Sequence, residues 1–333
     1  MVMHIPSTII WIFTAKCNLN CIHCYTSRFH KVQELTTNEK LKFIDEIGEL
    51  GILYVGLSGG EPLIHPDFPL IVNRLRDYNI SVTVVTNATV LTSEIAKLLY
   101  RNEVYVYVSI DGPREIHDHI RGKGTFDKTI HGIKVLKDHG VEYSTVMAVS
   151  KLNYKYVKDY IDVAVSLDVD RIALIPVMPS GMALKSKVFV NAHEYLEAIK
   201  IADTISDLQG YPISLWCTPF APLVVKSKHV YSTFCRTYSI QDIDPAGRLL
   251  ACDVIDLTFS SIREKKFTDA LREYQNSKVI KEIVNPSKLP DPCIKCPLKN
   301  RCRSGCFARA FNIYGSLNAG DPLCPRIAEK SLR

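Results

Sequence analysis

Long apolar runs are missing from this chain. The most apolar early stretch, Ile9 to Phe13 with its flanks, falls far short of the roughly 18 residues that a membrane span needs. No basic segment and small-residue cleavage site accompany it, so no signal peptide is read and a cytoplasmic location without membrane contact is expected. Lys and Arg do not form runs, and aromatics are not interleaved with basic residues, so the formal charge of +6 gives no case for nucleic acid. The scarcity with the most consequence is a fourth cysteine. Cys17, Cys21 and Cys24 crowd into CNLNCIHC, and the next cysteine is Cys217. A closed soft-metal site takes four protein ligands, so this stretch does not complete one with thiolates alone.

With 333 residues, 47% hydrophobic and 23% charged, the chain can bury a large core, as one large domain and an appendage. Eleven cysteines are many for a chain expected to stay in a reducing compartment, and they point to metal or redox chemistry rather than disulfides. Eight of them, Cys217, Cys235, Cys252, Cys293, Cys296, Cys302, Cys306 and Cys324, lie from residue 217 onward. From spacing alone, the first three could form a zinc half-site completed by His23 or His30, and the last group permits a zinc ribbon. Thiolate-held iron–sulfur clusters would carry negative charge that offsets much of the basic excess.

Residues 1–190 alternate β-rich and amphipathic stretches. STIIWIFT, ILYVGLSG, SVTVVTN, VYVYVSID, YSTVMAV and RIALIPV read as six strands, each followed by a segment of helical length. Thr36 and Glu39 make a capping box, Phe43, Ile47 and Leu50 share a face, and Gly51 ends that helix. Ile130, Ile133 and Leu136 form a second stripe, stopped by Gly140. Val- and Ile-rich strands in this rhythm predict a parallel sheet covered by helices, with ligands gathered at the carboxyl ends of the strands. The pattern does not distinguish an open sheet from a partial barrel. Expected boundaries are a barrel-like domain over 1–190, a linker region over 191–234, and a cysteine-rich domain over 235–333.

The chemistry-bearing residues lie at those strand ends: CNLNCIHC after the first, SGGEP (Ser58 to Pro62) after the second, TNA (Thr86 to Ala88) after the third and SIDGP (Ser109 to Pro113) after the fourth. C-x3-C-x2-C after a first strand with GGEP after a second resembles the radical S-adenosylmethionine superfamily. The resemblance implies an α/β fold, a partial (β/α)6 TIM-like barrel with a small cysteine-rich C-terminal iron–sulfur domain. It implies that Cys17, Cys21 and Cys24 hold a 4Fe–4S cluster whose fourth iron is left open for S-adenosylmethionine. It further implies His23 near the adenine, Gly59, Gly60 and Glu61 at the methionyl ammonium, Asn87 as a further cofactor contact, and Ser109 and Arg121 at the ribose and the methionyl carboxylate. An arginine fork suits a carboxylate, although a serine such as Ser109 also suits a helix cap.

Cys235-x11-Gly247-x4-Cys252, then Cys293-x2-Cys296-x5-Cys302-x3-Cys306, then Cys324, resembles the SPASM extension of that superfamily. This implies one auxiliary cluster on Cys235, Cys252 and Cys306 and a second on Cys293, Cys296, Cys302 and Cys324, making three 4Fe–4S clusters in all. Relatives of the anaerobic sulfatase-maturating type carry a further cysteine where this chain has Gln241. Cys217 could supply the missing thiolate, or it could be a packed apolar residue among Leu215, Trp216 and Phe220. Asp253 follows Cys252 where those relatives carry an acidic base, and it could equally be a solvated aspartate at a strand end.

The resemblance implies an enzyme of oxidoreductase or maturase type that reductively cleaves S-adenosylmethionine to a 5′-deoxyadenosyl radical and abstracts a substrate hydrogen. Oxidation or crosslinking of a peptide or protein side chain is the expected outcome. Modification of a tetrapyrrole of the haem pathway or of a sugar-type molecule is the alternative, and a non-catalytic iron–sulfur electron-transfer protein is the reading from another class. Expected partners are a peptide or small-molecule substrate and a low-potential electron donor such as ferredoxin or flavodoxin. The first strand begins by about residue 8, leaving no room for an N-terminal peptide-recognition domain, so a separate recognition partner and a small-molecule substrate both stay open.

Overall fold

The computed structural model describes residues 3–331. All six expected strands form: β1 (Thr8–Thr14), β2 (Tyr54–Gly59), β3 (Ser81–Thr86), β4 (Tyr105–Ser109), β5 (Tyr143–Val149) and β6 (Ile172–Pro176). Each pairs in parallel with the next. The intervening helices are α1 (Thr37–Glu49), α2 (Phe68–Asp77), α3 (Ser93–Arg101), α4 (Arg114–Arg121), α5 (Thr125–Asp138) and α6 (Val157–Ser166). Thr36 caps α1 in a reciprocal capping box with Glu39, and Gly51 follows its end at φ +74°. That conformation costs a side chain with a Cβ more than it costs glycine.

The expected linker over 191–234 is corrected. It holds the 18-residue helix α8 (Ala192–Gln209), preceded by the short α7 (Gly181–Ser186), and the strands β7 (Ile213–Leu215) and β8 (Val230–Ser232). β7 pairs in parallel with β6 and β8 with β7, so the segment continues the sheet. No run rich in Gly, Pro or Ser marks the strands out, and at three residues each they are too short to show a period.

The cysteine-rich part joins the same sheet at its other side. β9 (Ile240–Ile243) runs parallel to β1, with Thr8 opposite Ile240 and Trp11 opposite Ile243. It turns back into β10 (Arg248–Leu250) and β11 (Thr258–Ser261) as antiparallel partners. The resulting order is β11-β10-β9-β1-β2-β3-β4-β5-β6-β7-β8, with β11 and β8 as its edges. This is an open, parallel-dominated barrel with the first strand near one end of its parallel run. After the sheet come α9 (Phe267–Asn276), α10 (Lys278–Val284), α11 (Asp291–Ile294), α12 (Lys299–Cys302), α13 (Phe307–Tyr314) and α14 (Pro325–Ser331).

The core binds the two ends of the chain. Trp11 and Phe13 of β1 face the helices, where Phe43 of α1 meets Trp11 edge-on at 5.2 Å and Phe267 of α9 at 5.5 Å. On the opposite face of β1, Ile12 packs with Ala15, Phe29 and Leu250. Phe43 is thus the contact through which an early helix and a late one share β1. Replacing it with Ala is expected to cost about 3–5 kcal/mol through lost burial and a residual cavity, read from denaturant unfolding under anaerobic conditions. A loss below about 1 kcal/mol would mean that the surrounding rings close the gap.

Candidate functional site

The ends of β1 and β2 are locked by close backbone approach. Gly60 donates its amide to the Thr14 carbonyl at 2.7 Å, and Glu61 donates to Lys16 at 2.8 Å. A Cβ on Gly60 would stand 2.1 Å from the Lys16 oxygen, and one on Gly59, which sits at φ +129°, 2.3 Å from the Thr14 oxygen. The glycines of GGEP are therefore demanded by the backbone of the cysteine loop itself. Glu61 is fully buried, and its oxygens accept from the Thr86 hydroxyl at 2.7 Å, the Asn87 amide at 2.7 Å and the Leu63 amide at 3.1 Å. Burial pushes its carboxyl up to about 6. This carboxylate braces the second and third strand ends. Asn87 in turn donates to Asn18 in the cysteine loop at 3.0 Å.

Cys17, Cys21 and Cys24 are unbridged thiols. They lie within electrostatic reach of one another and of Arg121, whose positive charge opposes the burial that pushes Cys21 up to about 11. The loop is held by backbone bonds from Ile22 to the Ile120 carbonyl at 3.1 Å and from Met182 to the Cys24 carbonyl at 2.8 Å. Among the described residues, only Asp242, Cys252 and Asp253 bring three His, Cys, Asp or Glu ligand atoms within 4.8 Å of one another. The first three cysteines do not gather with His23 or His30 to that closeness. Three spread thiols suit a cluster of several irons better.

His23 is buried and its Nε2 stands 3.2 Å from Asp111 Oδ2, while Arg121 Nε donates to the same oxygen at 2.6 Å. Burial alone would raise the Asp111 carboxyl, but Arg121 and His23 hold it well below the usual carboxylate range. Asp111 Oδ1 accepts from the Ala148 amide at 2.9 Å, so this carboxylate also ties the fourth and fifth strand ends together. His117 accepts from the Asp111 amide at 3.3 Å, and burial lowers it to about 4, so it is neutral near pH 7. Ser109, the last residue of β4, is buried two positions before Asp111. The Nδ1 atom of His23 and the Nε2 atom of His117 are buried with no protein partner. Unsatisfied buried nitrogens beside an arginine and three thiols fit a polar cofactor seated on this loop. Sequence reasoning quoted SIDGP but passed over Asp111, whose place inside that strand-end motif was the available signal.

In the C-terminal part the cysteines sort into two groups. The Cys217 thiol meets that of Cys235, and Cys252 and Cys306 lie within electrostatic reach of it. Cys293, Cys296, Cys302 and Cys324 neighbour one another in the second group. Burial pushes Cys293 up to about 11 and Cys302 and Cys324 to about 12. Buried thiols this reluctant to ionise are ones that a metal would have to deprotonate. Gln241 is buried and donates to the carbonyls of Asp242 at 2.9 Å and Leu250 at 3.1 Å. Strand alternation on β9 turns Asp242, not Gln241, toward Cys252. Cys217 arrives from the end of β7 at φ +52°.

Asp253 is half-buried and hydrogen-bonded from neighbouring segments. Tyr25, adjacent to Cys24, donates its hydroxyl to Asp253 Oδ2 at 2.9 Å, and Arg28 donates to the Asp253 carbonyl at 2.6 Å. The Asp253 amide donates to Asp242 Oδ2 at 2.8 Å. Burial raises the carboxyls of both Asp253 and Asp242, and each is the other's near neighbour. Asp253 therefore links the first cysteine loop to the group containing Cys252. Tyr25 and Asp242 were not foreseen, because their roles arise only where β9 is set beside β1.

Residues 11–164 match the family model described as the radical SAM superfamily. The AdoMet-dependent heme synthase of Methanosarcina barkeri is 29% identical over 96% of both chains. Mycofactocin maturase MftC of Mycolicibacterium smegmatis is 26% identical over 96% of this chain and 82% of its own. The solved structure of native anSMEcpe with bound AdoMet and the Cp18Cys peptide superposes with a TM-score of 0.77 at 20% identity, covering 97% of this chain and 94% of that one. No described helix is long and apolar enough to cross a membrane. With the cysteine loop and the glycine-locked second strand end side by side in one sheet, residues 11–164 form a radical SAM superfamily domain, a family whose cofactors are S-adenosylmethionine and a 4Fe–4S cluster.

Proposed function

We propose that this protein modifies a peptide or protein side chain by oxidation or crosslinking, starting from removal of one hydrogen atom. The observation that carries the reading is the direct link from the radical-type cysteine loop to the C-terminal cysteines, Cys24–Tyr25 to Asp253–Cys252, made by a 2.9 Å hydrogen bond. When bound, a 4Fe–4S cluster and S-adenosylmethionine supply one electron and a 5′-deoxyadenosyl radical that takes the substrate hydrogen.

In this reading Cys17, Cys21 and Cys24 hold that cluster. Arg121, His23, Ser109 and Asn87 bind and orient S-adenosylmethionine, with the backbone at Gly59 and Gly60 allowing close approach. Asp111 fixes Arg121 and His23, and Glu61 fixes the loops on which they depend. Cys235, Cys252, Cys306 and Cys217 hold one auxiliary 4Fe–4S cluster, and Cys293, Cys296, Cys302 and Cys324 a second. The proximity of the Cys217 and Cys235 thiols supports Cys217 as the fourth ligand. Asp253, oriented by Tyr25, accepts the proton released when the substrate is oxidised. The functional division falls at residue 235, with 191–234 counted with the barrel. Electrons come from a low-potential donor of the ferredoxin or flavodoxin kind, and a separate protein presents the peptide.

A second reading, modification of a tetrapyrrole, is favoured by one observation: the match to the heme synthase spans 96% of both chains. Incubating reduced protein and S-adenosylmethionine with an iron–tetrapyrrole bearing propionates, and separately with candidate peptides, distinguishes the two by which substrate changes mass.

Anaerobically reconstituted protein is expected to hold about twelve irons, and a Cys17/Cys21/Cys24 triple Ala variant about eight. Stoichiometric zinc in place of iron would overturn the cluster assignment. Reduced protein is expected to convert S-adenosylmethionine slowly to 5′-deoxyadenosine and methionine without substrate. Asp253→Asn should leave this cleavage and the iron content intact while product formation falls by about 100-fold or more, because an amide of equal volume accepts no proton. Undiminished product yield would remove Asp253 as the base and favour redox-neutral chemistry.

A further inference from the structure

α13 begins directly after Cys306, and its third residue, Arg309, is buried with 1% of its side-chain surface exposed, as is Asp321 with 0%. The two form a forked pair, Nε to Oδ1 at 3.0 Å and Nη2 to Oδ2 at 2.7 Å. A buried ion pair adds little net stability over apolar packing, so its contribution is better sought in what it positions. Arg309 Nη2 also donates to the Cys217 carbonyl at 2.7 Å, and Nη1 meets the Met178 sulfur at 3.5 Å, just past β6. The Arg309 amide points at the Cys306 sulfur at 3.5 Å. From the other side, Asp321 accepts from the amides of Cys306 at 3.0 Å and Leu323 at 3.1 Å, and its carbonyl accepts from Cys324 at 3.0 Å. Gly305 makes room for it, since a Cβ there would lie 2.3 Å from that of Asp321. Cys217, at φ +52°, holds a conformation that a residue with a Cβ does not keep without outside support.

We propose that Arg309 and Asp321 are a positioning unit that presents the Cys217 and Cys306 thiolates to one auxiliary cluster and anchors the Cys324 loop of the other to the same carboxylate. This rests on the cluster ligands assigned under Proposed function. The guanidinium is brought to Cys217 from a segment 92 residues later, which explains how a cysteine outside the C-terminal motif can serve it. The Arg309 charge and its amide donor beside the thiolates favour the more negative, reduced cluster and raise its reduction potential, while the Asp321 charge opposes them.

The test uses the full chain, anaerobically reconstituted, with iron analysis and redox titration followed by electron paramagnetic resonance. Arg309→Lys keeps the charge but loses the fork: the iron content should stay whole while one auxiliary signal changes shape. Arg309→Met and Asp321→Asn should each lose about a third of the iron, equal to one cluster, or retain it with the auxiliary potential lowered by Arg309→Met and raised by Asp321→Asn. The signal of the cluster on Cys17, Cys21 and Cys24 should not move. Full iron with unshifted auxiliary signals in all three variants would overturn the proposal. If Arg309→Met or Asp321→Asn fails to fold by circular dichroism, Arg309→Lys decides alone. Cys217→Ala separates the two readings. A changed auxiliary spectrum there with unaffected Arg309 variants sinks the positioning unit and keeps the ligand. An unchanged spectrum there with altered Arg309 variants sinks the ligand and leaves the unit acting on Cys306.

Discussion

Everything at the site depends on β1 having two parallel neighbours. β2 on one side delivers GGEP to the end of the strand that leads into the cysteine loop, and β9 on the other delivers Asp242 and, through β10, Cys252 and Asp253. Parallel pairing places all carboxyl ends at one edge of the sheet. Two cysteine groups more than two hundred residues apart are thereby brought to either side of Tyr25 and Asp253. The core repeats the arrangement below, where Phe43 touches Trp11 from α1 and Phe267 from α9.

Charge at this edge is largely balanced within the protein. Glu61 and Asp111 are both fully buried carboxylates, and each is satisfied by donors from neighbouring strand ends rather than left open. Such bonds make the loops rigid before any cofactor is present, which is what precise positioning of a reactive radical requires. The thiols are different: burial keeps Cys21, Cys293, Cys302, Cys306 and Cys324 protonated. Any metal bound by these thiols would have to displace those protons, so metal loading and the stability of the cysteine-rich part would be linked.

Local motifs survive the passage from sequence to structure because their causes are local. The capping box at Thr36, the helix stop at Gly51 and the six strands follow from propensity and period, and they stand where expected. Glu61 could not be assigned its partners in the same way. Its role depends on Thr86 and Asn87, which are near only because β2 and β3 lie side by side. Asp111 and Arg309 were invisible for the same reason, each being defined by contacts from several distant segments.

The sequence by itself determined the α/β class, the cysteine loop and the glycines of the second strand end, since spacing along the chain controls each of them; the sorting of the C-terminal cysteines into two groups came from a family resemblance. Only the tertiary structure decided that 191–234 extends the sheet, that Asp242 rather than Gln241 faces Cys252, and that Cys217 reaches Cys235. Those outcomes turn on which strand neighbours which and on which face a residue points to, and neither is written in a three-residue strand or in a lone cysteine.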